Sequence, residues 1–314
     1  MRVLVVGASG AIGSRLVPQL IDNGNEVIGT FRSAASADRL RVLGAEPLAL
    51  DALDSRAVRQ AVLDTAPDAI IHQATALANV RFSRSLDKTF AATNRLRTEG
   101  TDALLTAARE AGVRRFVAQS FASYRYARTG GPVKSEDDPL DAAPPATARE
   151  TNAAMRYLDD AVTGAGGIAL RYGGFYGASD EALVSLVRRR YYPVIGDGAG
   201  VSSFIHLDDA ASATVLALQH EGPGLYNIVD DEPAPMREWL PEVARIVGAK
   251  PPRHFPEWVA KLIAGEGMVV MATQSRGASN AKAKAELGWT PRYPSWRDGF
   301  RSAYGKPASV PART

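Results

Sequence analysis

Short apolar runs alternate with longer amphipathic stretches through the first half of the chain. The runs, rich in β-branched residues, are Val3–Val6, Glu26–Thr30, Glu46–Leu50, Ala69–His72, Arg115–Ala118 and Ile168–Tyr172. The stretches between them carry apolar residues at helical spacing, as in Gly13–Asn23, Ser55–Asp64 and Thr98–Ala111. Strands and helices that alternate at this period predict an α/β fold, with a doubly wound parallel sheet covered by helices on both faces.

The alternation ends after Tyr172, where Pro and Gly become frequent, as at 193–200 and 251–256. We therefore predict a sheet domain over residues 1–172, which also receives parts of residues 203–230. A smaller, mostly helical lobe over residues 173–314 is expected to bind substrate. The segment from Arg128 to Arg149 is rich in Pro, Ala, Asp and Gly. Its length predicts a flap over the site.

The composition is that of an ordinary globular protein and narrows the set of partners. The 314 residues are 46% hydrophobic and 23% charged, and the formal net charge is +3. Because no dense basic stripe accompanies this small excess, we expect no nucleic-acid partner. No apolar run approaches the length of a membrane span, so we expect no membrane partner either.

The cysteine and histidine content limits the chemistry further. The chain has no cysteine, which excludes disulfides, thiolate metal sites and cysteine nucleophiles. This is compatible with a reducing compartment, and we expect a cytoplasmic protein. The 4 histidines lie without metal-ligand spacing, so we expect no metal site.

A glycine-rich turn follows the first predicted strand. It reads Gly7-Ala8-Ser9-Gly10-Ala11-Ile12-Gly13 and leads into a helix that starts near Ser14. Gly7 permits the tight turn, Gly10 lets the backbone approach a pyrophosphate, and Gly13 packs the helix against the strand. The helix N-terminus offers N–H groups and the positive end of its dipole to the phosphates. The turn therefore predicts a dinucleotide site, with Ser9, Ala11 and Ile12 as further contacts.

The end of the second predicted strand bears on which dinucleotide binds. An NAD site usually has Asp or Glu there for the ribose 2′-hydroxyl. Here Glu26–Thr30 is followed by Phe31-Arg32-Ser33, which contains no carboxylate. Arg32 could pair with a 2′-phosphate and stack on adenine. We therefore favour NADP, with NAD as the alternative, and place Thr30 and Arg32 in the site.

These motifs resemble the extended short-chain dehydrogenase/reductase family, also called the NAD-dependent epimerase/dehydratase family. The resemblance covers nearly the whole chain and implies a Rossmann sheet domain and an enzyme that uses NAD or NADP. Its most specific match in the second half is Gly196-Asp197-Gly198 followed by Phe204-Ile205-His206-Leu207-Asp208-Asp209. The resemblance also implies further cofactor-binding residues, namely Asp51, Ala52, Gln73, Ala74, Thr75 and Tyr172.

The chain departs from this family at the expected acid–base residues. Family oxidoreductases generally use a Tyr-x-x-x-Lys pair, with a Ser or Thr after the fifth strand. The most natural alignment puts Thr151 and Met155 where the pair belongs. After the fifth strand Ser120 lies near the position of the hydroxyl residue, but Phe121 could occupy the strict position. The usual acid–base pair is therefore missing.

Ser120 and Tyr124 are our candidate catalytic residues, since either could replace the missing acid. Tyr124 is chosen on its location alone, and the alternative that it only lines the pocket stays open. Aromatic residues predict a pocket for a molecule of low polarity. They are Phe121, Tyr126, Phe175 and Tyr176.

Two function classes remain open from the sequence. The first is nicotinamide-dependent reduction, or an epimerase- or dehydratase-like reaction, on a small molecule. A nucleotide-linked sugar is not expected, because Ser202-Ser203 stands where family members that use such sugars often have an arginine. The second is a non-redox role in which the dinucleotide is structural or sensed. By analogy with family dimers, the helices Thr98–Ala111 and Ala148–Thr163 could form a homodimer.

Overall fold

The computed structural model describes residues 1–77, 83–123, 125–177 and 181–305. Its first half follows the predicted alternation of strands and helices. In chain order the elements are β1 (Arg2–Val6), α1 (Gly13–Asp22), β2 (Glu26–Phe31), α2 (Ala34–Val42), β3 (Glu46–Ala49), α3 (Ser55–Thr65), β4 (Ala69–His72), α4 (Leu86–Arg95), α5 (Thr101–Glu110), β5 (Arg115–Phe121), β6 (Val133–Lys134), α6 (Arg149–Gly164) and β7 (Ile168–Tyr172). A π-helical segment, Leu96–Gly100, joins α4 to α5, and a 3₁₀ turn, Ala146–Ala148, precedes α6.

The second half contains short strands and seven helices within the described residues. They are β8 (Gly174–Tyr176), α7 (Glu181–Arg188), β9 (Val194–Ile195), β10 (Val201–Ser202), β11 (Phe204–His206), α8 (Leu207–Gln219), β12 (Gly224–Ile228), β13 (Ala234–Pro235), α9 (Met236–Ile246), β14 (His254–Phe255), α10 (Glu257–Ala264), α11 (Glu266–Thr273), β15 (Gly277–Ala278), α12 (Ala281–Leu287) and α13 (Trp296–Tyr304). No helix among the described residues is long and apolar enough to cross a membrane.

The main sheet has seven strands in the order β12-β7-β5-β4-β1-β2-β3, and every pair is parallel. The predicted doubly wound parallel sheet is confirmed. Strand β5 runs three residues further than the apolar run indicates, because Phe121 still pairs with Tyr172 of β7. Strand β12 returns from the second half to the edge of the sheet beside β7.

Both faces of the sheet are buried, which explains why its strands are continuous apolar runs rather than alternating ones. On β1, Val3 and Val5 face one core under α1 and α8. Leu4 and Val6 face the other core, under α3, α5 and α6. Because all seven strands are parallel, their carboxyl ends meet at one edge of the sheet, which is where ligands bind in such sheets.

The second half has a core of its own, built around aromatic rings. The ring of Phe204 lies 5.3 Å from that of Trp239, 5.8 Å from that of Phe300 and 6.1 Å from that of Trp296. Asp230 closes this core at the end of β12: its N–H donates to the Phe204 carbonyl, and its side chain is 1% exposed. The second core is thus joined directly to the end of β12.

The long segment predicted to be a flap is fastened at several points. Strand β6 pairs with β15 of the second half, and Tyr126 bridges to Leu140. Arg128 forms a salt bridge with Asp141 and donates to Gln274. In the described residues this segment therefore packs against β15 and Gln274 of the second half of the chain.

Candidate active site

The glycine turn adopts a geometry that side chains would block. Gly7 has a φ of +91°, and a Cβ added to it would lie 2.7 Å from the Ala74 nitrogen. Its N–H donates to Thr30 Oγ1 at 3.0 Å, which ties β1 to β2. A Cβ on Gly13 would lie 2.2 Å from the Ala8 carbonyl oxygen. Only glycine fits these two positions, in agreement with the roles inferred from the sequence.

A cleft of about 450 Å³ opens beside this turn, at the carboxyl ends of β1, β2 and β4. The sequence-predicted cofactor residues that line it are Gly7, Ser9, Gly10, Thr30, Arg32, Asp51, Ala52, Gln73, Ala74 and Thr75. Ala11, Ile12 and Gly13 continue the turn into α1. Tyr172 is fully buried and does not line the cleft. The glycine cradle and the helix N-terminus above it suit a dinucleotide pyrophosphate.

Two arginines and two serines gather at the β2 end of the cleft. Arg32, Ser33, Ser36 and Arg39 all line it. Arg39 Nη2 donates to Ser36 Oγ at 3.1 Å, and the Ser33 and Ser36 hydroxyls lie 2.9 Å apart. Within the described residues neither arginine forms a salt bridge. This set offers two cations and two hydroxyls to an anion.

Several residues that line the cleft were not predicted from the sequence. The missed residues are Val6, Phe31, Ser33, Ser36, Arg39, Leu50 and Leu96. Ser33, Ser36 and Arg39 recur every three residues, a helical spacing that could have placed them on one face of α2. No spacing pattern in the sequence indicates that Leu96 lines the cleft. It reaches the cleft through the π-helical segment, and its carbonyl oxygen lies 3.2 Å from His72 Nε2.

Behind the end of β5 lies a buried charge network. Arg125, which is 2% exposed, donates through Nη1 to Ser120 Oγ at 3.1 Å and to the Phe121 carbonyl at 3.0 Å. Its Nη2 donates to Asp159 Oδ2 at 2.6 Å, and Arg171 Nε donates to the same oxygen at 2.8 Å. Burial lowers the pKa of Arg125 to about 10. Ser120, which is 1% exposed, therefore accepts a hydrogen bond from a buried guanidinium.

The other predicted site residues differ in how deeply they are buried. Phe121 and Phe175 are half-buried at the sheet end. Tyr126 is 2% exposed, and its hydroxyl accepts from Arg171 and donates to Asn227 Oδ1 at 2.7 Å. Tyr176 lies in the second core, stacked on Phe300 at 4.6 Å. Tyr124, our candidate acid, lies outside the described residues.

Thr151 and Met155, at the positions of the Tyr-x-x-x-Lys pair, are both fully buried. The Thr151 hydroxyl donates to Asp87 Oδ1 at 2.8 Å and accepts from Asn94 Nδ2 at 3.1 Å. Its N–H donates to the same Asp87 oxygen at 2.8 Å. These bonds fix the first turn of α6 from the side of α4. Neither side chain can act as an acid or hold a ribose.

The sequence profile described as the NAD dependent epimerase/dehydratase family matches residues 3–229. The chain belongs to this family. Family members most similar in sequence include the 3-diazoavenalumate denitrifying reductase of a Streptomyces species, 44% identical over 96% of this chain and 99% of the relative. The 2-alkyl-3-oxoalkanoate reductase of Stenotrophomonas maltophilia is 30% identical over 79% of this chain and 76% of its own.

A family member of known structure has the same fold. The UDP-glucose 4-epimerase of Thermus thermophilus, solved with NAD, superposes with a TM-score of 0.74 at 26% identity, over 97% of this chain and 98% of that one. With reductases and epimerases as relatives, this family member is an NAD(P)-dependent oxidoreductase- or epimerase-type enzyme. The non-redox alternative left open by the sequence gains no support from these relatives.

Proposed function

We propose that this protein is an NADPH-dependent reductase that replaces the diazonium group of a small aromatic molecule by hydrogen, with release of N₂. The name of the 44% identical relative describes a reductase that removes nitrogen from a diazo compound. That similarity extends over 96% of this chain, so it includes both the cofactor cleft and the second lobe. The half-buried rings of Phe121 and Phe175 suit an aromatic substrate.

The observation that carries the proposal is the replacement of the usual Tyr-x-x-x-Lys pair by two residues that cannot exchange a proton with substrate. Thr151 and Met155 stand at the positions of the pair, and both are fully buried. A carbonyl reductase must protonate the oxygen that becomes an alcohol, and it usually positions an acid to do so. A diazonium carbon is already attached to a cationic leaving group, so its reduction develops no oxyanion.

The bound NADPH would supply a hydride for the new C–H bond and would become NADP⁺. The C–N bond would break, and N₂ would leave with the electron pair of that bond. No proton is consumed. The chain's own task is to hold the reactants in line and to exclude water, which would otherwise convert a diazonium to a phenol. Phe121 at the end of β5, fixed from behind by Arg125, contributes an apolar wall for this purpose.

The cluster at the β2 end supports NADPH over NADH. A 2′-phosphate would meet Arg32 and Arg39 as charged donors and Ser33 and Ser36 as hydroxyl donors. No carboxylate follows β2 to take a ribose 2′-hydroxyl, which is the usual feature of an NAD site. NAD remains the alternative cofactor.

A nucleotide-linked substrate is disfavoured by the serines that replace the expected arginine. Ser203 is 3% exposed, accepts from the Ala278 N–H at 2.8 Å and donates to the Ala278 carbonyl. It therefore joins β15 to the second core and is not available to a diphosphate. A small substrate without a nucleotide fits this arrangement better.

We also propose that the protein forms a homodimer through the face formed by α5 and α6. Tyr157 of α6 is 42% exposed, and its hydroxyl donates to Asp102 of α5 at 2.6 Å. A groove of about 960 Å³ lies between the two helices. Light scattering of the purified protein tests this: Tyr157→Asp should turn a dimer into a monomer, and a monomeric native protein contradicts it.

The reaction is tested by incubating the protein with NADPH and an aryl diazonium salt labelled with ¹⁵N at both nitrogens. We expect one labelled N₂ and one arene for each NADPH oxidised. The rate of NADPH oxidation should exceed the rate measured without protein. A panel of ketones serves as the comparison. Oxidation of NADPH with a ketone but not with the diazonium salt would overturn the proposal in favour of carbonyl reduction.

A further inference from the structure

A directional chain of hydrogen bonds ends at the cofactor cleft on Gln73. Thr214 donates from Oγ1 to the Ala210 carbonyl at 2.7 Å, one turn back in α8. With its proton used in this way, Thr214 must accept at its 2.6 Å contact with the Tyr172 hydroxyl. Tyr172 is therefore the donor in that contact. Burial raises the pKa of Tyr172 to about 12, so the hydroxyl keeps its proton at neutral pH.

The chain sets the orientation of the Gln73 amide. Because the Tyr172 proton points to Thr214, the Tyr172 oxygen can only accept from Gln73, and Gln73 Nε2 lies 3.1 Å away. This leaves Oε1 as the free end of the side chain. Oε1 is buried and has no hydrogen-bond partner among the described residues. A buried carbonyl oxygen without a donor is costly, which marks the position as one that a ligand completes.

The topology of the sheet tells which part of the ligand lies there. Arg32 and Asp51 follow β2 and β3, on the side of the sheet where the adenosine half of a dinucleotide binds. Gln73 follows β4, and its side chain reaches across β5 to Tyr172 of β7. It is thus on the other half, beyond the phosphate turn at Gly7. The nicotinamide riboside half of the cofactor lies on this side.

We propose that Gln73 accepts a hydrogen bond through Oε1 from the nicotinamide riboside half of NADPH and positions it, taking over part of the role that Met155 cannot perform. The donor is either the carboxamide amine or a ribose hydroxyl. Tyr172 and Thr214 act through Gln73 by holding its amide in the acceptor orientation. This assignment rests on the proposed dinucleotide function of the cleft.

The test compares NADPH with 2′,5′-ADP, which has the adenosine end but no nicotinamide riboside. Gln73→Met should weaken NADPH binding by about fivefold to tenfold, the effect of one lost hydrogen bond. It should leave 2′,5′-ADP binding unchanged, which also shows that the variant is folded. Thr214→Val should produce the same pattern from a distance: Tyr172 then donates to Gln73 instead, and the amide turns its Nε2 to the cleft.

The 3-acetylpyridine analogue of NADPH, which lacks the amide N–H, identifies the donor. If Gln73→Met weakens NADPH but not this analogue, the carboxamide is the donor; if it weakens both equally, a ribose hydroxyl is. Unchanged NADPH binding in Gln73→Met, or equal weakening of NADPH and 2′,5′-ADP, overturns the assignment alone. A native protein that binds neither ligand overturns the proposed cofactor function together with it.

Discussion

Arg39→Ala should lower the affinity for NADPH without changing the affinity for NADH. Arg39 lines the cleft, and its guanidinium is fixed to Ser36, which in turn contacts Ser33. A charged hydrogen bond contributes about 1.5 to 3 kcal/mol. Because Arg39 is exposed and therefore screened by water, the lower end applies, which corresponds to roughly tenfold in affinity. Arg32→Ala should have an effect of similar size.

The assay is a fluorescence titration with each reduced cofactor, at low and at high salt. The loss for NADPH should shrink at high salt, because screening already weakens the phosphate contacts of the native protein. Arg41→Ala is the matched control, since Arg41 lies on the same helix but pairs with Asp38 at 2.7 Å. Equal weakening of NADPH and NADH by Arg39→Ala, or no weakening of either, would refute the assignment of this cluster to the 2′-phosphate.

Three further outcomes concern pH dependence and buried charge. Burial raises the pKa of Asp230 from 3.8 to about 8. Between these two pKa values the unfolded chain releases a proton that the folded protein keeps. The free energy of unfolding should therefore fall by on the order of 4 kcal/mol between pH 4 and pH 7. Asp230→Asn should remove this pH dependence of the free energy of unfolding, measured by urea unfolding at each pH; identical pH profiles of the native protein and Asp230→Asn would contradict the buried acid. Asp159→Asn should destabilise the protein by about 3 to 5 kcal/mol, because it leaves two buried guanidiniums without their carboxylate. Arg125→Met should cost much less, since Asp159 keeps Arg171 as its partner; the reverse order in thermal unfolding would show that the network is not shared in this way.

The phosphate-binding turn could be predicted because its signal is local. The spacing of Gly7, Gly10 and Gly13 after a buried strand sets the turn, and the structure gives Gly7 the positive φ that the spacing implies. The parallel sheet was predictable for the same reason, since each strand and each helix carries its own periodicity. Even the end of β2, with Arg32 in place of a carboxylate, needed only neighbouring residues.

Contacts between distant parts of the chain could not be predicted in this way. The Gln73–Tyr172 hydrogen bond joins residues 99 positions apart, and nothing in the sequence around either residue indicates it. Arg125 reads as an ordinary polar residue beside two tyrosines, yet the fold buries it against Asp159. Leu96 lines the cleft at the start of a π-helical segment, which apolar periodicity does not reveal.

Direct hydride transfer without proton uptake is the central claim, and isotope tracing tests it most directly. The reaction is run once with NADPH carrying deuterium at C4 in ordinary water, and once with unlabelled NADPH in D₂O. The account predicts deuterium at the carbon that carried the diazonium group in the first case, for one of the two C4 faces, and none at that carbon in the second. Deuterium from solvent at that carbon would contradict it, because a proton donor would then take part although Thr151 and Met155 stand in place of the usual acid–base pair.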